Sequence, residues 1–168
     1  GRRTNNAELR NIISKLRKEI PDICLRTTLI TGFPGETEED HQILLDFIDE
    51  MEFDRLGVFT YSPEEDTKAA SLDNQVDEEV KLCRKDEIME LQQEISMDKS
   101  ERLVGKEIEV IIEGKASDED VYVGRSYMDA PSVDGYVFIN SEEELMSGDF
   151  AKVRIVKAME YDLIGDLI

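Results

Sequence analysis

The residues best suited to chemistry form a short turn of glycine, proline and glutamate, Gly32-Phe33-Pro34-Gly35-Glu36. Glycine allows positive φ and a close approach of backbone to a ligand, and proline fixes φ and removes a donor. An apolar run ends just before the turn at Thr31, and Thr37 stands where a helix N-cap is expected, with Asp40 completing a capping box. Proteins with parallel sheets bind ligands where strands exit into such turns. The spacing predicts either a ligand-binding turn or an ordinary strand-to-helix connection.

The thiols and the imidazole of the sequence form no recognisable reactive set. Cys24 and Cys83 are the only cysteines and share no metal-ligand spacing, so we expect two reduced thiols. The single histidine, His41, falls in the first turn of an acidic helix, where we predict a solvated side chain. The sequence therefore contains no zinc or cluster-binding motif.

The elements around the turn follow the rhythm of βα units. Apolar spacing predicts a helix over residues 6–19, a strand over 24–31, the capped helix to about Met51 and a second strand over 55–61. The first strand lacks strict alternation, which is typical of a parallel strand covered on both faces by helices. Because two strands cannot close a parallel sheet, residues 1–70 are interpreted as the end of a larger α/β domain.

The second half of the sequence changes from helical to strand periodicity. Residues 71–102 are predicted to be a linker and a long charged helix, with apolar positions at Val80, Cys83, Ile88, Leu91 and Ile95. Residues 103–168 contain five short apolar runs separated by polar turns. That pattern predicts a small antiparallel β-barrel, so the fold class is α/β plus all-β.

Composition limits the functional classes. The 168 residues are 40% hydrophobic and carry a formal charge of −20. No apolar run approaches the length of a membrane span, and the start of the sequence has no signal-peptide core, so we expect a cytoplasmic monomer without membrane contact. The acidic charge is opposite to the basic surface expected of a phosphate-binding protein.

Several long stretches resemble the radical S-adenosylmethionine (SAM) methylthiotransferase family. Residues 26–37 and 53–65 are similar to the last barrel strands of that family, and residues 90–96 with the terminal barrel resemble its linker and TRAM domain. Residues 124–135 resemble the branch called RimO, which modifies an aspartate of the small-subunit ribosomal protein S-twelve. One departure is Asp66, where the family often has glycine; Asp tolerates the left-handed conformation.

The resemblance implies the carboxy-terminal part of a larger enzyme. The expected fold is the end of a radical SAM TIM-like barrel, a linker helix and an OB-like TRAM barrel. The parent enzyme would hold two 4Fe-4S clusters, one on a Cys-x-x-x-Cys-x-x-Cys loop that this sequence lacks. In the family, one cluster cleaves SAM to a radical that abstracts hydrogen from the aspartate β-carbon, the other delivers sulfur, and a second SAM supplies the methyl group. We therefore expect this chain alone to bind no cluster, to hold no catalytic or metal residue and to be inactive.

The resemblance also implies a partial SAM site on the two strands. Apolar side chains of the first strand would contact the adenine, and backbone groups of the second would meet its edge. The implied residues are Arg26, Leu29, Ile30, Thr31, Gly32, Phe59, Thr60 and Tyr61. Arg26 has two readings, a clamp on the methionine carboxylate or a structural ion pair. Arg2 and Arg3 are weaker candidates.

The charge of the predicted barrel separates the branches of the family. Residues 103–168 contain six Lys and Arg against fifteen Asp and Glu, a formal charge of −9. That charge disfavours RNA and favours a basic protein substrate such as protein S-twelve, unless it serves only solubility. The expected substrate-binding residues are Asp118, Glu119, Asp120, Tyr127, Asp129 and Asp134. Two alternatives stay open: a tRNA adenosine methylthiotransferase fragment, and a non-catalytic TRAM-type binding module.

Overall fold

The computed structural model describes residues 4–116 and 120–168 of the chain. The elements follow in the order α1 (Asn6–Glu19), β1 (Arg26–Thr31), α2 (Glu38–Met51), β2 (Arg55–Thr60), α3 (Glu78–Glu101), β3 (Glu107–Lys115), β4 (Val121–Ser126), β5 (Val137–Asn140), β6 (Phe150–Ala158) and β7 (Leu163–Leu167). Two compact units divide within α3, one from Gly1 to Gln92 and the other from Gln93 to Ile168. None of the described helices has the length and apolar character needed to span a membrane.

The first unit contains a parallel pair of strands. β1 and β2 run in register, with Leu29 opposite Val58 and Ile30 opposite Phe59. Ile13, Met51 and Phe53 form a small core with the partly buried Leu25, Phe47 and Leu56. The parallel pairing confirms the predicted βα rhythm.

The predicted burial of β1 on both faces is not found among the described residues. Arg26, Thr28 and Ile30 are exposed, while Thr27 and Leu29 are half-buried and Thr31 is buried. Successive side chains of a strand point to opposite faces, so one face of β1 is open within the described part of the chain.

Capping side chains set where α2 begins. Thr37 Oγ1 accepts the Asp40 backbone N–H, and the Asp40 carboxylate accepts the Thr37 N–H at 2.9 Å. Two backbone donors at the start of the helix are satisfied in this way, which confirms the capping box predicted from the sequence. In the turn after β2, Asp66 adopts the left-handed conformation, with a φ of 62°. This agrees with the expectation that Asp can replace glycine there.

The second unit is a closed barrel with strand order β3-β4-β5-β7-β6. Its core consists of inward-facing apolar side chains, among them Val110, Ile112, Val137, Ile139 and Val153. The prediction of a wholly antiparallel barrel is wrong, because β5 and β7 pair in parallel. β6 lies between them in sequence, and it pairs with β3 on one side and β7 on the other, so β7 returns beside β5 in the same direction.

Candidate functional site

The turn after β1 is closed by backbone hydrogen bonds and two left-handed glycines. Gly32 has φ of +76° and Gly35 has φ of +87°. The Glu36 N–H donates to the Phe33 carbonyl at 2.9 Å, and the Gly35 N–H donates to the Asn74 carbonyl at 2.9 Å. The chain therefore leaves the strand through a fixed backbone path rather than a loose loop.

The Glu36 carboxylate holds the end of β1 against the turn. One oxygen accepts the Thr31 hydroxyl at 3.0 Å, and the other accepts the Gly32 backbone N–H at 2.9 Å. Thr31 and Gly32 are both buried. A carboxylate that accepts a backbone N–H makes a charge-assisted bond, so Glu36 fixes the orientation of the Gly32 peptide.

Two buried cations of α3 reach the same region. The Arg84 guanidinium donates to Glu36 Oε1 at 2.9 Å and to the Glu36 carbonyl at 3.3 Å. The Lys81 ammonium donates to the Tyr61 carbonyl at 3.1 Å and to Glu78 at 2.6 Å. Sequence reasoning missed both residues, because their charge hides a buried stripe that Lys81, Arg84, Ile88 and Gln92 form at helical spacing.

The open face of the strand pair presents two large apolar side chains side by side. Ile30 is 60% exposed and Phe59 is 64% exposed, and they are register partners on neighbouring strands. Register partners of a parallel pair point to the same face, so these side chains form one flat apolar surface at the carboxyl end of the sheet. A surface of this kind suits the face of a neutral aromatic ring.

The remaining residues expected on the SAM site divide between the faces. Leu29 and Thr31 alternate with Ile30 and therefore point to the opposite face. Arg26 lies on the face of Ile30, four residues and about 13 Å away along the strand. Thr60 is half-buried. The structure thus brings Ile30 and Phe59 together on one face and places Leu29 and Thr31 on the other.

Tyr61 lies behind the turn rather than on the open face. It is buried, and its ring makes an edge contact with Phe33 at a centroid distance of 5.2 Å. Its N–H donates to the Thr31 carbonyl at 2.8 Å, which continues the strand pairing by one residue. Arg2 and Arg3 lie outside the described residues.

The prediction of a solvated His41 is wrong. The side chain is 1% exposed, and Nε2 lies 2.8 Å from a carboxylate oxygen of Glu87. This hydrogen bond, together with one from Cys83, holds the pKa of Glu87 below its usual range. α3 contacts α2 at this position, so the imidazole is covered by a helix that is distant in sequence. The residues around His41 therefore gave no indication that its side chain is buried.

Neither cysteine offers a ligand set for an iron-sulfur cluster. Cys24 is half-buried and Cys83 is exposed. The Cys83 thiol donates to Glu87 at 3.3 Å, and this bond raises the pKa of the thiol. Among the described residues no group of three His, Cys, Asp or Glu side chains could hold a metal ion. The described residues of this chain therefore do not fit a cluster.

The barrel residues expected to hold substrate differ in exposure. Tyr127 is 68% exposed at the end of β4, whereas Asp129 is only 7% exposed. The Asp129 carboxylate accepts the Ser126 hydroxyl at 2.6 Å and the Ser126 N–H at 3.2 Å. The Asp134 carboxylate accepts the Ala130 N–H at 2.6 Å. Both carboxylates thus hold the loop after β4 in shape.

The turn between β3 and β4 is only partly described. Asp120 is exposed and lies 3.3 Å from the Lys115 ammonium. Asp118 and Glu119 lie outside the described residues. Tyr127 and Asp120 are therefore the exposed members of the expected set within the described part of the chain.

Three basic side chains of the barrel form ion pairs among the described residues. Besides Lys115, Arg125 pairs with Glu113 at 2.7 Å and Arg154 pairs with Glu107 at 2.8 Å. Residues 103–168 contain six Lys and Arg against fifteen Asp and Glu, a formal charge of −9. The field outside the barrel is therefore negative, which attracts cationic partners and repels phosphates.

The chain shows two kinds of similarity to known proteins, a match to a domain family and a match to whole proteins. Residues 104–168 match the TRAM domain family, which covers the closed barrel. The chain is also highly similar over nearly its whole length to proteins named ribosomal protein uS12 methylthiotransferase RimO. The relative from Lachnoclostridium phytofermentans is 58% identical over 98% of this chain. The relative from Pelotomaculum thermopropionicum is 54% identical over 99%, and that from Clostridioides difficile is 48% identical over 99%.

The match covers a minor part of these relatives. The chain spans 38% of the length of the first two and 37% of the third. The similarity includes both units of the chain, the parallel strands with their turn and the TRAM barrel.

Proposed function

We propose that this chain is the carboxy-terminal part of a radical SAM methylthiotransferase that adds a methylthio group to the β-carbon of an aspartate in ribosomal protein uS12. The observation that carries the proposal is the 58% identity to a uS12 methylthiotransferase across 98% of the chain. A fold shared by one domain does not define an activity, but a match that extends over strands, turn, linker helix and barrel supports one particular enzyme.

In this proposal the first unit supplies one wall of the SAM pocket. Ile30 and Phe59 give the adenine a flat apolar surface at the carboxyl end of a parallel pair, where α/β enzymes bind ligands. Gly32 lets the chain turn at the end of β1, beside this surface, with a positive φ of +76°. Residues 1–70 would belong to a TIM-like barrel whose other strands and cluster loop lie outside this sequence.

The clusters and the opposite wall of the pocket belong to the rest of the parent enzyme. Clusters bound there would supply the reductive cleavage of SAM and the transferred sulfur. Cys24 and Cys83 are the only cysteines in the sequence, so this chain by itself would bind no cluster and would be inactive. A cytoplasmic location of the parent enzyme is part of the same proposal, because its substrate would be a ribosomal protein.

The TRAM barrel would bind the protein substrate. Its charge of −9 and the pairing of its cations with carboxylates support a basic partner over RNA. Tyr127 and Asp120 would contact the substrate directly, together with Asp118 and Glu119. Asp129 and Asp134 would contribute by holding the loop after β4 in shape.

The test is a product measurement with the full-length protein that carries this chain. The protein is reconstituted with iron and sulfide, then incubated with SAM, a reductant and either uS12 or tRNA. We expect uS12 to gain one methylthio group on an aspartate, located by fragmentation mass spectrometry, and tRNA to stay unchanged. Modification of tRNA instead would replace the proposal with the tRNA-modifying branch. A protein that assembles clusters and cleaves SAM but modifies neither substrate would overturn it.

A further inference from the structure

Two cations of α3 are buried at positions where apolar side chains would be ordinary. Lys81 is 2% exposed and Arg84 is 6% exposed, and they are three positions apart on one side of the helix. Removing a charged side chain from water is costly unless it is paired and hydrogen-bonded. Their partners therefore indicate what these side chains hold in place.

Lys81 contacts the exits of both parallel strands at once. Its ammonium donates to the carbonyl of Tyr61, directly after β2, and lies 5.4 Å from the centre of that ring. Its aliphatic stem lies against Gly32, where a Cβ would come within 2.3 Å of Lys81 Cγ. Gly32 is thus required both by its φ of +76° and by the lysine stem.

Arg84 holds the turn through Glu36. The guanidinium bonds to the carboxylate and the carbonyl of Glu36, and the carboxylate in turn accepts the Gly32 N–H. The Arg84–Glu36 pair is well buried on both sides, with side-chain exposures of 7% and 14%. The Gly32 peptide is therefore fixed from one side by a carboxylate and from the other by the stem of a lysine.

We propose that Lys81 and Arg84 are positioning residues for SAM binding. This inference rests on the function proposed above. They do not touch the ligand in this account. They set the backbone of Gly32 and Tyr61 beside the apolar surface of Ile30 and Phe59, so that a backbone carbonyl there can accept the amino group at the edge of the adenine when the ring lies on that surface. Recognition by backbone groups depends on their placement, because a shift of a fraction of an ångström weakens a hydrogen bond to the ring.

The pattern of contacts separates positioning from simple packing. The Arg84 guanidinium bonds to Glu36 and to Glu38 at the start of α2, and the Lys81 ammonium bonds to Tyr61 and Glu78. An apolar side chain could fill the same space without the desolvation cost, but it could not orient a carbonyl or a carboxylate. The retained charges therefore specify the backbone of the two strand exits.

The test compares three variants of the cluster-reconstituted full-length protein. Lys81→Met keeps the stem beside Gly32 and removes the ammonium, Arg84→Met removes the guanidinium, and Arg84→Lys restores one donor. Lys85→Met, on the same helix with the same change of charge, is the control. Two quantities are measured: the SAM Kd by equilibrium dialysis, and amide hydrogen exchange of peptides covering residues 31–36 and 59–61.

We expect Lys81→Met and Arg84→Met to weaken SAM binding about tenfold, since a hydrogen bond to a charged group is worth at least about that factor. Exchange in the two peptides should rise by a similar factor, Arg84→Lys should recover part of both losses, and Lys85→Met should stay within about twofold of the parent.

The outcomes distinguish this inference from the proposed function. If the parent binds no SAM, the proposed function fails, and the positioning of a SAM site fails with it. If the parent binds SAM and the folded Lys81→Met and Arg84→Met variants bind it equally well, only the positioning role is overturned. Weaker binding with unchanged exchange would also overturn it, because the effect would not pass through the backbone.

Discussion

Both the backbone conformation and the packing at position 32 require glycine. Gly32→Ala would place a side chain at φ of +76° and bring its Cβ within 2.3 Å of Lys81 Cγ. We expect a loss of about 2 kcal/mol or more in the free energy of unfolding, from left-handed strain plus the clash. Urea denaturation of the chain measures it. Gly57→Ala is the control, because a Cβ there meets nothing within 4 Å.

A double-mutant cycle isolates the contact itself. Lys81→Ala removes the two stem atoms closest to the new methyl group, Cγ and Cδ. The combined Gly32→Ala, Lys81→Ala variant should therefore lose less stability than the two single changes together. Strict additivity would mean that the stem does not press on Gly32.

Cys83 should be a slow nucleophile in spite of its exposure. The hydrogen bond to Glu87 and the charge of that carboxylate raise the pKa of the thiol, so less thiolate exists at a given pH. In a Cys24→Ser background, the rate of alkylation by iodoacetamide should rise at a higher pH than it does for a model thiol. Glu87→Gln should move it to lower pH and speed the reaction near neutrality. An unchanged profile would show that the Glu87 contact does not form in solution.

The elements of the first unit were predictable because their signals are local. The apolar spacing of α1, the capping residues of α2 and the turn after β1 all lie within a few residues of the structure they specify. His41 and the pair Lys81 and Arg84 were not predictable in this way. Their burial depends on α3, which packs on the turn from forty or more residues away in sequence.

The barrel illustrates the same limit. Five strands were visible as apolar runs, and the structure confirms a closed five-stranded barrel. The parallel pairing of β5 with β7 carries no local signature, because strand direction within a barrel follows from the path of the connections. Of the candidate SAM residues, Ile30 and Phe59 share a face, a relation that requires the register between two strands.

The cap of α2 gives a prediction at the scale of one element. Thr37→Ala removes the hydroxyl that accepts the Asp40 N–H and should cost about 1 kcal/mol of unfolding free energy. Thr37→Ser is the conservative control and should keep most of the stability. Urea denaturation at neutral pH measures both, and equal stability of Ala and Ser variants would contradict the capping role.

The same cap should respond to acid. Hydrogen bonds from Thr37 lower the pKa of Asp40 in the folded chain. A group with a lowered folded pKa stabilises the fold fully above its unfolded pKa, and that contribution is lost as pH falls through the folded value. The stability difference between the parent and Asp40→Asn should therefore shrink as the pH falls through this range. A difference that stayed constant down to the lowest pH would contradict the assignment.

At the scale of the whole molecule, the negative charge of the TRAM barrel should act on substrate binding through one turn. Neutralising Asp118, Glu119 and Asp120 to amides in the full-length protein should weaken uS12 binding about tenfold at low salt and flatten its salt dependence. Neutralising Glu142, Glu143 and Glu144 makes the same change of charge in another loop and should have less effect. Equal losses would mean that net charge alone attracts the substrate.

The central claim is that this chain is the working carboxy-terminal part of a uS12 methylthiotransferase. A chimera tests it most directly, in which this chain replaces the matching 38% of the Lachnoclostridium phytofermentans relative. The account predicts that the reconstituted chimera adds one methylthio group to an aspartate of uS12, seen by mass spectrometry, as the unaltered relative does in parallel. A chimera that folds, assembles its clusters and binds SAM, yet leaves uS12 unmodified while the relative modifies it, would contradict the account.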